Sequence, residues 1–287
     1  MRFESGEAFR DWPAKAVTVF GMSGVGKTSL GNMLRRHDWF HYSVDYRIGT
    51  RYMGEYIVDE FKREAMKVPL LRQLLMTDSI YISSNITFDN LAPLSTYLGK
   101  PGNPDRGGIS FAEYRRRQAQ HKAAEIAALL DVPEFIEKAR TIYGYARFLC
   151  DSGGSLCEVV DPDDPNDPVL KCLSEHTLLL YIRGTEQHKR MLVDRFRAAP
   201  KPMYYPEAFL EESWADYKRM HGLARDEEVD PDGFAVWGFE QLLDRRIPYY
   251  EAIARNFGYT IEADEVAGIV SEAGFVSLVS RAIDQRA

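Results

Sequence analysis

The segment Gly21-Met22-Ser23-Gly24-Val25-Gly26-Lys27-Thr28 holds residue types at a spacing that suits one chemistry, the cradling of phosphates. Glycines let successive backbone N–H groups turn inward as an anion nest. A helix that follows adds the partial positive charge of its N-terminus. Lys27 would reach the β- and γ-phosphates of a nucleotide, and Thr28 would ligate Mg²⁺. Gly21, Ser23, Gly24, Val25, Gly26, Lys27, Thr28 and Ser29 are therefore the candidate nucleotide-binding residues.

Elements must hold that loop in place. Ala16 to Phe20 is a short apolar, β-branched run and reads as a buried strand. Ser29 to Arg36 is compatible with a helix. Further strands are expected at Trp39 to Asp45, Ile80 to Ile86, Ala146 to Cys150, Thr177 to Ile182 and Tyr259 to Glu262. Helices are expected at Tyr52 to Leu75 with a break near Val68-Pro69, Phe111 to Leu130, Pro133 to Tyr143 and Glu186 to Arg197. Others are expected at Glu207 to His221, Asp232 to Asn256 and Glu272 to Arg286. Ser110 and Glu113 form a capping-box pattern for the helix from Phe111. Alternation of strands and helices predicts an α/β fold, a three-layer α/β/α arrangement around a five-stranded parallel sheet, with mostly helical insertions.

Sites in such a sheet sit at the carboxyl ends of its strands. Two carboxylates fall there. Asp151 follows Phe148-Leu149-Cys150 and could hold Mg²⁺ with Thr28. Asp45 could accept the proton of a substrate hydroxyl. The bland reading of both is a turn residue.

Composition sets the outer bounds. The chain has 287 residues, enough to bury a core without staples. Its hydrophobic share of 45% and charged share of 28% are those of an ordinary globular protein. No apolar run approaches the roughly 20 residues of a spanning helix, so no membrane partner is expected. Three cysteines without paired spacing and a charged N-terminal stretch point to a reducing cytoplasm. A net charge of −7, from 36 basic and 43 acidic residues, argues against a general nucleic-acid binder. The face Arg115-Arg116-Arg117…Lys122 is the one basic patch that could speak for nucleic acid, and a solvated helix surface is its bland reading.

The sequence resembles the small-molecule kinases with a phosphate loop, shikimate kinases and nucleoside-monophosphate-kinase-like enzymes among them. Gly31 completes Gly-Lys-Thr-x-x-Gly, Asp45 matches the second carboxylate of an Asp-x-Asp strand end, and Ser152-Gly153-Gly154 resembles a glycine triplet. Arg246-Ile247-Pro248-Tyr249-Tyr250-Glu251-Ala252-Ile253-Ala254 is similar to Arg-x-Pro-x-Tyr-x-x-x-Ala. The resemblance implies ATP and Mg²⁺ as cofactors, and a small-molecule acceptor bound by Gly153, Gly154, Arg246 and Arg63, the last from Phe61-Lys62-Arg63-Glu64. It implies a lid in which Lys201, of Pro200-Lys201-Pro202, or Arg195 or Arg197, contacts ATP. Ser43 and Ser152 depart from the pattern, and so does Lys201, which lacks the bidentate fork of arginine. The expected organisation is one kinase-like domain over 1–287, with an acceptor-binding insertion at 46–145 and an expanded lid at 198–242.

Two functions compete on this basis. The first is transfer of the γ-phosphate of Mg-ATP to a hydroxyl of a small anionic metabolite, with Lys27, Asp45 and Asp151 as catalytic residues. The second is a nucleotide-dependent ATPase switch that acts on a protein partner. Identity of the acceptor, ATP against GTP, and oligomeric state stay open at this level.

Overall fold

Five apolar runs join in one sheet. In the computed structural model, which describes residues 1–286, they are β1 (Ala16–Phe20), β2 (Trp39–Ser43), β3 (Arg147–Asp151), β4 (Leu178–Arg183) and β5 (Gly258–Glu262). All pairings are parallel, in the order β2-β3-β1-β4-β5. Every residue of β1 is buried, as are the first five of β4. Continuous burial means that both faces of the sheet are covered, as parallel sheets require. The covering helices include Lys27–Arg35 and Val132–Thr141 against β2 and β3, Pro168–His176 against β4, and Glu272–Asp284 against β5.

Local chemistry explains where these helices begin. Asp167 accepts the N–H groups of Val169 and Leu170 at 3.0 and 2.8 Å, so the proline-rich run from Asp161 ends in a capped helix. Ser271 caps Glu272–Asp284. In that helix Glu272 also accepts from the indole of fully buried Trp39 at 3.1 Å and from Arg147 at 2.9 Å. Ser110 Oγ accepts the Glu113 N–H at 3.2 Å and starts the helix Phe111–Leu130. The other half of the expected capping box is replaced: the Glu113 carboxylate takes Arg116 and Arg117 instead.

The chain divides into two compact units. The first holds the sheet: Met1–Val44, Glu125–Pro200, and the chain from Val236 onward. The second is Asp45–Ala124 with Lys201–Ala235 and is helical. Its interior pairs a buried Arg117 with Glu60 at 2.8 Å and Glu113 at 2.6 Å. Gln118 holds the irregular stretch before Pro206 by accepting the Tyr205 N–H at 2.9 Å, and Trp214 stacks on Phe111 at 4.7 Å. Arg115 lies between Glu207 and Glu211, each at 2.8 Å. The basic face of the helix Phe111–Leu130 is thus largely neutralised within its own unit.

Two expectations are corrected. Ile80 to Ile86 joins no ladder, because the sheet is completed by the other five strands. β2 stops at Ser43, and Asp45 lies in the short helix Val44–Arg47 rather than on a strand. Short helices also form at Gly6–Asp11 and Ala92–Leu98, where the sequence carries no strong periodic signal. Among the described residues, no helix is long and apolar enough to cross a membrane.

Gly31 fixes how closely the helix Lys27–Arg35 approaches β2. A side-chain carbon there would lie 2.6 Å from Cε1 and 2.7 Å from Nε2 of the buried His41 ring. Overpacking of this kind costs about 1–3 kcal/mol. Gly31→Ala should lower stability by that amount in urea unfolding, and His41→Ala in the same chain should return part of the loss.

Candidate active site

The Gly21–Thr28 loop begins where β1 ends, at the carboxyl edge of the sheet. Gly21 must be glycine on two grounds: its φ is +140°, and a side-chain carbon would fall 2.5 Å from the Ile182 carbonyl oxygen. Gly24 and Gly26 also hold positive φ, at +86° and +96°. The turn feeds straight into the helix Lys27–Arg35, whose N-cap is Gly26. Ser23, Gly24, Thr28 and Ser29 are exposed, while Lys27 is buried. Its Nζ donates to the carbonyls of Gly21 at 2.8 Å and Met22 at 2.9 Å, which folds the side chain back over the loop.

Strand pairing brings the first carboxylate to this loop. β1 and β3 are neighbours with Val19 opposite Asp151, and β3 also sets Asp151 opposite Ser43 of β2. Thr28 Oγ1 donates to Asp151 Oδ2 at 3.2 Å, and Gly153 N–H donates to Asp151 Oδ1 at 3.1 Å. His41 lies close enough to feel the charge: burial pushes its pKa down, and the Asp151 carboxylate acts against that.

The chain after β3 is pinned at each residue. Ser152 gives both its N–H (3.2 Å) and its hydroxyl (3.1 Å) to the Val19 carbonyl. Tyr250 OH donates to the Gly154 carbonyl. Ser155 Oγ donates to Glu125 at 2.7 Å, and Glu125 is fully buried. Gly154 is different in kind from Gly21. Its φ is unexceptional, and a side-chain carbon would meet only Ser23 Oγ at 3.4 Å, Arg246 Nη1 at 3.9 Å and Ser23 N at 4.0 Å. The backbone would tolerate a side chain there, and the space it would take is edged by three hydrogen-bond donors.

Arg246 reaches this point from the long helix Pro231–Phe257. Its Nε donates to Glu158 at 3.0 Å, with side chains only 5% and 2% exposed. Arg245 Nε lies 3.5 Å from the other Glu158 oxygen. The two arginines expected to contact ATP differ. Arg197 is held by Glu240 at 2.6 Å and Asp194 at 3.5 Å. Arg195 is exposed and has no ion-pair partner among the described residues; its Nη2 lies 3.1 Å from where a Gly24 side chain would start. On the other side of the loop, Val266 Cγ1 is 3.3 Å from the equivalent point of Gly26, so Gly26 packs against the helix Ala263–Ala267.

The remaining candidates belong to the second unit. Asp45 is half-buried in the first turn of Val44–Arg47, two residues past the end of β2. Arg63 is exposed on the helix Gly54–Ala65 and pairs with Glu60. Lys201 is exposed in irregular chain.

Oxygen donors of Thr28 and Asp151 are hard ligands of the type Mg²⁺ takes, and Mg²⁺ usually needs only one or two of them beside phosphate and water. The pair therefore fits that ion. Cys157 sits nearby, but burial pushes its thiol up to about 12, which leaves it no nucleophile at neutral pH. Sequence reasoning misses Glu158, Glu125 and Ser155. None lies in a recognisable pattern, and their relation to Arg246 and Gly154 arises only on folding. Tyr250 falls within the Arg246–Ala254 pattern, which by itself assigns it no role.

No family model matches this sequence. No curated protein matches it either. A solved structure of shikimate kinase from Bacteroides thetaiotaomicron aligns over 93% of this chain and 95% of its own, at 16% identity and a TM-score of 0.37. A superposition that loose transfers neither geometry nor chemistry.

Burial of the Arg246–Glu158 pair has a direct consequence. Removing one partner of a buried pair strands the other charge, at about 3–5 kcal/mol. Glu158→Ala should lose that much stability in urea unfolding, while Glu158→Leu with Arg246→Met should recover most of it.

Proposed function

We propose that this protein is an ATP-dependent phosphotransferase that moves a phosphoryl group to a hydroxyl of a small anionic acceptor. The observation that supports it most is the Thr28–Asp151 contact at 3.2 Å beside a glycine loop with Lys27 folded over it. That is a charge arrangement for the phosphates of a nucleotide and one divalent ion.

Each residue then has a task. The N–H groups of Gly24 to Thr28 and the N-terminus of the helix Lys27–Arg35 hold phosphate oxygens. Lys27 neutralises charge that spreads over the transferred group. Ser29, exposed in the first turn of the same helix, adds a hydroxyl on that side. Thr28 and Asp151 would hold Mg²⁺, which supplies charge neutralisation between the phosphates when bound. Arg195, free to move over Gly24, screens the nucleotide phosphates from water. Lys201 is a further candidate for the nucleotide and Arg63 for the acceptor.

The acceptor side rests on Gly154. Ser23 Oγ, Arg246 Nη1 and Ser23 N lie 3.4, 3.9 and 4.0 Å from the point where a Gly154 side chain would start. Three donors around one void suit an anionic oxygen. Gly153 keeps its own N–H on Asp151, which orients the backbone of the pair. Asp45 is the candidate base for the hydroxyl proton of the acceptor.

ADP release from Mg-ATP, with and without a panel of hydroxy acids, sugar derivatives and nucleosides, tests the proposal. One acceptor should stimulate release strongly. Lys27→Ala should reduce the stimulated rate by about 10²–10³-fold, the size of effect seen when one charge-stabilising donor is removed. ATP binding without stimulation by any acceptor would instead favour a regulatory ATPase.

Gly154→Ala separates binding from folding. The added methyl meets no atom closer than 3.4 Å, so the melting temperature should not change. Acceptor KM should rise about tenfold or more, because the methyl takes the acceptor's place. ADP release without acceptor should stay as in the wild type.

A further inference from the structure

The run Ile80-Tyr81-Ile82-Ser83-Ser84-Asn85-Ile86 has the composition of a strand and lies outside the sheet. Among the described residues, no backbone–backbone hydrogen bond involves residues 80 to 86. The single bond to its main chain comes from the Asn90 side chain to the Asn85 carbonyl at 3.3 Å. Exposure nevertheless alternates with period two. Tyr81, Ser83, Asn85 and Thr87 are exposed, while Ile80, Ile82 and Ser84 are half-buried and Ile86 is buried. That is the pattern of a strand with one face on a core.

Both ends are fixed within the second unit. Before the run, Ser79 N–H donates to the Leu74 carbonyl at 2.9 Å. After it, Ile86 packs at Gly49, Phe88 stacks on Tyr46 at 4.8 Å, and Thr87 and Asn90 exchange backbone bonds at 3.0 and 3.2 Å. An anchored run of unpaired N–H and C=O groups is a template for another strand. The usual protections are missing: residues 79 to 88 contain no charge and no proline.

The neighbouring surface carries exposed apolar side chains beside Arg72 and Gln73. The helix Pro69–Met76, with four leucines and a methionine, buries no residue. Of eleven large hydrophobic side chains exposed among the described residues, four (Val68, Leu70, Met76 and Tyr81) fall within residues 68 to 81, and Tyr81 is 89% exposed. Such clustering marks an interaction site.

We infer that residues 80 to 86 pair antiparallel with the same residues of a second copy of this chain, and that the helix Pro69–Met76 covers the join. The run suits itself as partner. A two-fold axis at Ser83 sets Ile80 against Ile86, Tyr81 against Asn85 and Ile82 against Ser84. No like charges oppose each other in that register. A strand pair alone is small for a stable interface, and the exposed Val68, Leu70 and Met76 add apolar area beside it. Neither nucleotide nor acceptor enters this pairing, so it stands apart from the proposed activity.

Sedimentation velocity on the full chain over a wide concentration range tests it. The wild type should pass from monomer to dimer as concentration rises. Ser83→Pro removes an N–H that makes no bond within the chain, and should weaken the dimer about tenfold or more. Tyr81→Lys should do the same by setting a charge on the new edge. Both should keep the wild-type circular dichroism spectrum. Ser83→Cys should give a disulfide-linked dimer under mild oxidation while the wild type does not, since the native cysteines are buried or half-buried. A chain that stays monomeric at every concentration, including one that binds only an unrelated extended peptide, overturns the inference. So does a dimer that is indifferent to Ser83→Pro and Tyr81→Lys, or one in which Ser83→Cys forms no cross-link.

Discussion

Hydrogen bonding between β1 and β3 is the constraint on which the site depends. It sets Val19 opposite Asp151, and so brings a loop at residue 21 and a carboxylate at residue 151 to the same edge. Thr28 reaches Asp151 because the helix after the loop starts at that edge. Burial of β1 on both faces keeps the register from slipping, because a one-residue shift would turn every side chain to the opposite face. The central strand is therefore the ruler for the loop, the carboxylate and the Ser152–Ser155 backbone, which is tied to Val19 directly.

Behind that edge lies a polar network held in low dielectric. Glu158 orients Arg246, Tyr250 holds the Gly154 carbonyl, and Glu125 holds Ser155. Bonds of this kind are costly to leave unmade once buried, so the network resists rearrangement. Its effect is to present one guanidinium nitrogen and one backbone turn at fixed positions. Arg195 is the contrast: it is exposed and without an ion partner among the described residues.

The second unit pairs its basic helix with its own carboxylates. Arg115, Arg116 and Arg117 look in sequence like a basic stripe, yet each meets a carboxylate from its own unit. Arg117 is buried, which fixes the helix Phe111–Leu130 against Glu60 of Gly54–Ala65. The stretch Met203 to Tyr205 is held by Tyr114 and Gln118 of the same helix. Its tyrosines are buried in that packing rather than presented as a stacking surface.

The glycine loop, four of the five sheet strands with Asp151 at a strand end, and the helix Phe111–Leu130 were legible from residue order alone, because short-range spacing dictates them. The loop needs glycines at fixed intervals, and a buried parallel strand must be apolar throughout. β2 was legible except at its end, where the chain turns helical at Val44. Ile80 to Ile86 shows the limit of that logic: it has the residues and the alternation of a strand, but pairing needs a neighbour, and no local signal says whether one exists. The surroundings of Arg246 and Gly154 were likewise beyond local reach. Whether an arginine faces a ligand, a carboxylate or both depends on Glu158, eighty-eight residues away. Whether a glycine serves the backbone or leaves room for a ligand depends on the atoms around it, and for Gly154 those are Ser23 and Arg246. Spacing along the chain determined the elements and the glycine loop, whereas contacts between distant residues decided which side chains are held and how much room is left beside Gly154.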